Sequence, residues 1–201
     1  MLSRDPSHQV TGLLTTFNEA FDRVAMHAVR RDLVEQQAER LGIPLIAVPL
    51  PWPCSNEEYE RRMKSVCGEA VEQGVEGVAF GDLFLEEIRA YREERLEGSG
   101  LEPVFPLWGL DTRELAREMV TAGVEARLTC VDPKALDPAC VGRSYDLEFL
   151  EGLPETVDPC GERGEFHTFV SAGPMFEGSI STRLGDIVER DGFVFADLCA
   201  K

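Results

Sequence analysis

Short apolar runs alternate with amphipathic stretches along the first 131 residues of the chain. The apolar runs are rich in β-branched residues, which is typical of buried strands. Between them, apolar residues recur every three or four positions, as in helices that bury one face. The pattern predicts strands at 9–17, 44–50, 77–82, 103–108 and 124–131, and helices at 29–42, at 55–74, around Ile88 and Tyr91, and at 111–123.

Several predicted helix ends carry local signals. Ser55 with Glu58, and Asp111 with Glu114, have the spacing of residues that cap a helix N-terminus. Gly42 follows the first predicted helix, where glycine is the preferred terminating residue. These signals support the boundaries that the periodicity gives.

Strands that alternate with helices of this length need crossover connections, so we predict an α/β fold with a parallel sheet covered on both faces. The pattern changes near residues 130–135, after which proline, glycine and short elements prevail. The stretch 186–198 predicts a hairpin that turns at Asp191 and Gly192. We therefore predict a first domain at 1–131 and a smaller α+β domain at 132–201.

The charge of the chain is strongly negative. There are 37 acidic residues against 20 basic ones, which gives a formal net charge of -17. Such a surface repels nucleic-acid phosphates and anionic membranes, so we predict neither as a partner. We interpret the excess of acidic residues as a solubility feature, because 43% hydrophobic residues indicate an ordinary folded core.

The six cysteines are scattered and form neither a CxxC motif nor a zinc-like spacing with histidine. No signal peptide or membrane-length apolar run is visible in the sequence. We therefore expect a cytoplasmic protein with reduced thiols. Cys67 and Cys130 fall on apolar faces and are predicted to lie in the core.

The carboxyl ends of parallel strands are where ligands bind in open α/β sheets. Thr15, Asp82, Trp108 and, in the following loop, His27 are predicted to lie near those ends. Asp82 could coordinate Mg²⁺ or orient a nucleotide, but it could also cap the next helix. Trp108 could stack on a base, although packing is the commoner role for such a residue, and a lone histidine is a weak signal.

The segment CGERGEFHTFV, at 160–170, carries the strongest candidate chemistry. In a strand, Glu165 and His167 would share one face, and Glu162 could approach from a loop flanked by Gly161 and Gly164. Two carboxylates and an imidazole could position an amine nucleophile and accept its proton. The alternative is a hairpin closed by a salt bridge to Arg163.

The sequence resembles the diphthine–ammonia ligase family, which consists of ATP-dependent amide-forming enzymes of the adenine-nucleotide alpha-hydrolase (PP-loop ATPase) superfamily. The resemblance extends over nearly the whole chain, and its last segment is long, polar and irregular. It rests on residues 12–16, 23–30, 37–45, 56–60, 80–93, 105–108 and 158–176.

The resemblance implies a Rossmann-like nucleotide domain followed by a substrate domain. It also implies that ATP, with Mg²⁺, adenylylates a carboxylate, which ammonia then converts to an amide; in archaea and eukaryotes that carboxylate is the diphthine of elongation factor 2. A homodimer is possible. By resemblance, Leu14, Thr15 and His27 would line the nucleotide pocket, Gly81 and Asp82 would lie over the phosphates or metal, and Glu162, Glu165 and His167 would face the acyl-adenylate and ammonia.

The sequence departs from the family in one respect, because it contains no SGGKDS-type phosphate loop. In the family's fold the strand before that loop lies in mid-sheet, so its absence predicts two unpaired strand edges. Three explanations stay open: an upstream segment, a homologue that binds nucleotide without catalysis, or a strand supplied by another chain. A metal-dependent hydrolase built on Glu162, Glu165 and His167 is a weaker alternative, since a further metal ligand is missing.

Overall fold

The computed structural model describes residue 2, residues 5–24 and residues 27–201. It is a mixed α/β structure, and the predicted α/β class with parallel strands is confirmed. The strands form a three-stranded sheet, a separate two-stranded sheet and a five-stranded sheet within those residues. In the same part of the chain, none of the helices is both long and apolar enough to cross a bilayer.

The first sheet has the order β2-β1-β3. Strand β1 (Leu13–Asn18) pairs in parallel with β3 (Leu45–Leu50), and β2 (Arg23–Val24) returns antiparallel along the end of β1. The strand predicted from residue 9 therefore begins later and ends at Asn18. Helix α1 (Arg31–Leu41) connects β2 to β3 and ends at Gly42, whose φ of 65° is the left-handed conformation that favours glycine.

The second sheet contains β4 (Gly77–Ala79) and β5 (Glu102–Val104), which are parallel. Helix α2 (Asn56–Glu72) precedes β4, and its first turn is capped by Ser55, as predicted, with Glu58 N–H donating to Ser55 Oγ at 3.2 Å. Helix α3 (Glu86–Leu96) lies between the two strands. The parallel strands thus form two separate pairs, β1 with β3 and β4 with β5.

The third sheet is mainly antiparallel and has β6 (Glu125–Val131) at its centre. Strand β6 pairs with β7 (Ser144–Tyr145), β8 (Phe166–Ala172) and β10 (Phe193–Ala200), and β9 (Thr182–Arg190) pairs with β10. The predicted hairpin is present, because β9 and β10 turn at residues 191–192, both of which have positive φ. Helix α4 (Thr112–Thr121), a short 3-10 helix (Pro138–Cys140) and α5 (Leu147–Glu151) complete this region.

The pairing of β6 bears on where the two regions meet. The predicted boundary at residue 131 follows β6, whereas the pairing partners of β6 among the described residues are all strands of the third sheet. The chain therefore passes from one sheet system to the next between β5 and α4. The division into two domains stays a prediction, and we propose that its boundary lies at 105–111.

The largest hydrophobic cluster lies on the third sheet, beneath α4 and α5, where Ala116, Leu128 and Val131 are each 0% exposed. A second cluster joins the two regions: Val29 and Leu33 pack against Phe169 and Leu198. Helix α1 therefore packs on the third sheet, although in the sequence it connects two strands of the first sheet.

Candidate active site

The loop at 158–165, here called the carboxylate loop, is closed by Glu165. This side chain is only 6% exposed, and its carboxylate accepts hydrogen bonds from the backbone N–H groups of Asp158 and Arg163, both at 2.9 Å. The guanidinium of Arg163 lies 3.8 Å from the same carboxylate. Glu165 thus precedes β8 and is turned into the loop, where the buried negative charge has several donors.

Asp158 provides a second buried carboxylate in the same loop. It is 6% exposed and accepts hydrogen bonds from Cys160 N–H at 2.8 Å and from Thr112 Oγ1 at 2.7 Å. Gly161 has a φ of 70°, and a Cβ there would lie 2.7 Å from the carbonyl oxygen of Phe166. This position therefore needs glycine, and the loop has little freedom to change shape.

Cys160 is an unreactive thiol in this loop. Burial and the neighbouring carboxylates, chiefly Asp158 and Glu162, raise the pKa of its thiol to about 12. Its Sγ donates to the carbonyl oxygen of Thr112 at 3.4 Å. Because the thiolate is the nucleophilic form, Cys160 is not a nucleophile at neutral pH.

Glu162 links the carboxylate loop to the segment between β4 and α3. Its Oε1 accepts a hydrogen bond from the backbone N–H of Leu83 at 2.7 Å. Beside this bond, the guanidinium of Arg163 lies over the ring of Phe84, 5.0 Å from its centroid. Two segments that the sequence predicted to be functional, 81–82 and 160–167, are therefore neighbours in space.

His27 and His167 form a second junction between the regions. Their ring centroids are 4.3 Å apart and the ring planes are inclined by 41°. His167, on β8, is half-buried, whereas His27 is exposed. Burial and, to a lesser extent, His27 lower the pKa of His167 from 6.5 to about 4, so His167 is neutral at physiological pH. Of the segment 23–30, residues 25 and 26 lie outside the described residues.

Asp82 lies next to the Glu162 contact, and it does not cap α3, which is preceded by Leu85 without a side-chain cap. Its Oδ2 is 3.7 Å from Nε of Arg92, and neither of these buried atoms has a hydrogen-bond partner. The guanidinium of Arg92 also lies 4.9 Å from the centroid of the Phe80 ring. Asp82 thus has an oxygen whose hydrogen-bonding capacity is unused.

Sequence reasoning missed the arginines of α3. The guanidinium of Arg89 lies 4.8 Å from the ring centroids of both Phe105 and Trp108. Trp108 packs edge-on against Phe105, which agrees with the packing interpretation of this tryptophan. The spacing of Arg89 and Arg92, three positions apart on a helix, was the available signal.

Leu14 and Thr15 lie within β1, some residues before its end. Leu14 is 37% exposed, and its register partner on β3, Ile46, is 39% exposed. Two neighbouring apolar side chains near the start of their strands therefore form an accessible platform, and Thr15 is half-buried on the opposite face. Gly81 is exposed, with no atom within 4 Å of a Cβ placed on it.

The described residues contain no group of three or more His, Cys, Asp or Glu side chains arranged to hold a metal ion. The geometry therefore offers no complete metal centre within that part of the chain. It brings together Glu162 with 81–83 and His27 with His167, whereas Glu165 supports the loop that carries Glu162.

A mixed α/β fold with parallel strands and a further antiparallel sheet is consistent with a Rossmann-like nucleotide domain joined to a C-terminal domain. Two family models match the chain, the diphthamide synthase N-terminal domain over residues 4–103 and the diphthamide synthase C-terminal domain over residues 111–193. The chain belongs to the diphthamide synthase family, as the resemblance predicted.

Individual relatives agree with this assignment. The chain is 24% identical to diphthine–ammonia ligase from Bos taurus over 194 residues, which is 89% of this chain and 73% of the bovine protein. It is 27% identical to the Homo sapiens enzyme over 148 residues, 71% of this chain, and spans about half, 55%, of that protein's length. The Danio rerio enzyme is 28% identical over 178 residues, covering 81% of this chain and 70% of the fish protein.

Proposed function

We propose that this protein is an ATP-dependent amide-forming ligase, which adenylylates a carboxylate and then lets ammonia displace AMP. The observation that carries the proposal is family membership across both regions, since the two matched domain models account for nearly the whole chain. The contacts between the carboxylate loop and residues 81–84 support it, because they join the segments that carry the resemblance.

The proposed substrates follow from the names of the relatives, which act on diphthine and ammonia. In an archaeal or eukaryotic host the carboxylate would be the diphthine side chain of elongation factor 2. A bacterial host, which makes no diphthamide, would require another carboxylate. The excess negative charge of -17 means that an anionic substrate needs local cationic groups to be bound.

The residues present fit ATP in two respects. The exposed platform of Leu14 and Ile46 offers an apolar surface to a purine ring, and Thr15 lies on the same strand. Asp82 would hold Mg²⁺ through its carboxylate, whose Oδ2 is buried 3.7 Å from Nε of Arg92; Mg²⁺ in nucleotide sites takes one or two carboxylates together with phosphate oxygens and water. Gly81 would leave the backbone open beside the phosphates. ATP would supply the AMP group that makes the substrate carboxylate reactive.

The ammonia step would use His167. A neutral imidazole at pH 7 can accept the proton that the attacking amine loses, and His167 is held neutral by burial and by His27. His27 would extend the same surface towards the nucleotide. Glu162 would fix the distance between β8 and residues 81–83, and Glu165 would act through the loop that it closes.

Calorimetric titration of the purified chain with Mg·ATP tests the nucleotide site directly. We expect saturable binding, weakened in Asp82→Asn and unchanged in the exposed control Asp186→Asn. Binding without release of AMP and pyrophosphate, when ammonium and candidate carboxylates are added, would favour the non-catalytic homologue. That alternative has a specific basis, because the sequence contains no SGGKDS-type phosphate loop.

Replacement of His167 tests the ammonia step. In a preparation that forms amide, we expect His167→Ala to reduce turnover by about 10²–10⁴-fold, which is the usual contribution of a general base, and to leave Mg·ATP affinity unchanged. His8→Ala is the matched control, since His8 is an exposed histidine far along the chain from either junction. Equal turnover in the two variants would remove His167 from the mechanism.

A further inference from the structure

The loop that carries His27 begins with β2 and leads into α1. This histidine loop, residues 23–30, has Arg23 and Arg30 facing each other in an antiparallel bridge at its two ends. Inside it, Val24 N–H donates to the carbonyl oxygen of Val29 at 2.8 Å. These contacts tie the two ends of the loop together, and they therefore restrict where His27 lies.

Both ends of the histidine loop are bound to one carboxylate in the other region. Asp197, on β10, accepts Arg23 Nη1 at 2.8 Å and Arg30 Nε at 2.9 Å on Oδ1, and Arg30 Nη2 at 2.6 Å on Oδ2. Arg23 Nη1 also donates to the carbonyl oxygen of Ala28 at 2.8 Å. The two guanidinium groups thus fix the loop from both sides, and Arg30 does so through two parallel bonds.

The environment of Asp197 favours this ion pair. The Asp197 side chain is 19% exposed and that of Arg23 is 24% exposed, so solvent screens them less than a surface pair. The hydrogen bonds from Arg30 and Arg23 hold the pKa of Asp197 below its ordinary value of 3.8. The carboxylate is therefore charged throughout the physiological range.

The third sheet places Asp197, with its bonds to Arg23 and Arg30, close to the pair of His27 and His167. Phe195 on β10 and His167 on β8 both lie opposite Cys130 of β6, so the two strands are about 10 Å apart. Asp197 is two positions beyond Phe195. One rigid sheet therefore carries both the group that holds the ends of the histidine loop and the imidazole that His27 contacts.

We propose that Asp197 is a positioning residue, which holds the histidine loop so that His27 lies against His167. Apolar packing of Val29 and Leu33 on Phe169 and Leu198 docks α1, and Val24, at the other end of the loop, packs against the same cluster. This packing is not directional, whereas the Asp197 carboxylate adds directional bonds to Arg23 and Arg30 at both ends of the loop. The consequence for amide formation rests on the proposed function, whereas the placement of His27 does not.

Proton NMR tests the placement without nucleotide or substrate. The chain has three histidines, His8, His27 and His167, whose ring signals can be assigned with single His→Gln variants. In the wild-type protein we expect a nuclear Overhauser effect between the His27 and His167 rings, and no titration of His167 between pH 5.5 and 8. In Asp197→Asn we expect the effect to disappear and His167 to titrate at least about one pH unit higher.

The direction in which the His167 pKa changes in Asp197→Asn distinguishes a positioning role of Asp197 from a direct electrostatic effect of its charge. Loss of a negative charge alone would lower a neighbouring imidazole's pKa, whereas loss of burial and of the His27 ring raises it. We expect Asp197→Glu, which keeps the carboxylate, to retain the ring contact. Asp186→Asn, on the exposed part of β9, removes the same charge and should change nothing.

An unchanged contact between the two rings in folded Asp197→Asn would overturn the proposal. If Asp197→Asn does not fold, Arg30→Lys decides the question, because lysine keeps the charge but cannot make the two parallel bonds. An intact ring contact in Arg30→Lys would then overturn it, and a lost one would support it. Neither result depends on whether the protein is a ligase.

Discussion

The two regions of the molecule differ in how far their apolar faces are covered. In the C-terminal region, Leu128 and Val131 of β6 have no exposed surface. In the N-terminal region, α2 has no buried residue at all, and Leu14 and Ile46, each the second residue of its strand, are 37% and 39% exposed. One region closes a hydrophobic core of its own, and the other leaves part of its sheet uncovered.

This difference follows from the type of sheet. An antiparallel sheet can be stable with a single helical layer, whereas parallel strands normally need helices on both faces and neighbours on both edges. The two parallel pairs, β1 with β3 and β4 with β5, lack such a neighbour between them in the described residues. The N-terminal region should therefore depend more on a ligand, or on further chain, for its stability.

The largest expected effect comes from matched truncations in the two regions. Leu128→Ala should lower the free energy of unfolding by about 2–5 kcal/mol, because the side chain is fully buried and leaves a cavity. Met63→Ala, on the half-buried face of α2, should cost no more than about 1 kcal/mol. Urea denaturation followed by circular dichroism measures both. Similar losses at the two sites would show that α2 is packed as tightly as β6.

A smaller loss of stability is expected at the hydrogen bond between Glu162 and Leu83, which joins the two regions. Glu162→Ala leaves the Leu83 N–H without its acceptor, which should cost about 1–3 kcal/mol, while Glu162→Gln keeps an acceptor oxygen and should cost less. Hydrogen exchange of the segment 80–86 should speed up in the alanine variant. Glu155→Ala, exposed in the same region, is the control, and equal exchange in all three variants would contradict a role for this bond.

A third effect, seen only at acidic pH, is a pH dependence confined to the histidine junction. Because the pKa of His167 is about 4 in the folded protein and 6.5 without burial, the unfolded chain binds more protons between these values. Stability should therefore be unaffected by His167 above pH 6.5 and should fall as the pH drops towards 4. His167→Gln should show a shallower decline than the wild type in urea denaturation at each pH. His8→Gln should retain the wild-type slope, and a parallel decline in all three would contradict the assignment.

Much of the fold follows from local signals. The capping residues Ser55 and Asp111 bond as their spacing predicted, with Glu114 N–H donating to Asp111 Oδ1 at 2.9 Å. These bonds lie within one helical turn, so the sequence contains both partners. Local signals could not predict which sheet β6 joins, because its alternating pattern would be the same in either sheet. Its pairing with β8 involves residues some forty positions away.

The candidate site shows the same limit. The sequence identified Glu162, Glu165 and His167 as chemically notable, and it assigned them together. In the structure, Glu165 is turned into its own loop, Glu162 reaches Leu83, and His167 contacts His27. Asp197, whose bonds to Arg23 and Arg30 span more than 160 positions, carried no signal in the sequence.

The sequence by itself determined the family, the order of the main helices and strands up to residue 131, and the turns at Gly42 and Gly192. These depend on periodicity, on motifs and on backbone conformation, which are local properties. Only the tertiary structure decided which carboxylate supports a loop, which one joins the regions, and which one holds the histidine loop. Similar carboxylates take different roles because each one needs hydrogen-bond donors where it is buried: those of Glu165 lie within its own loop, whereas those of Glu162 and Asp197 come from distant parts of the chain.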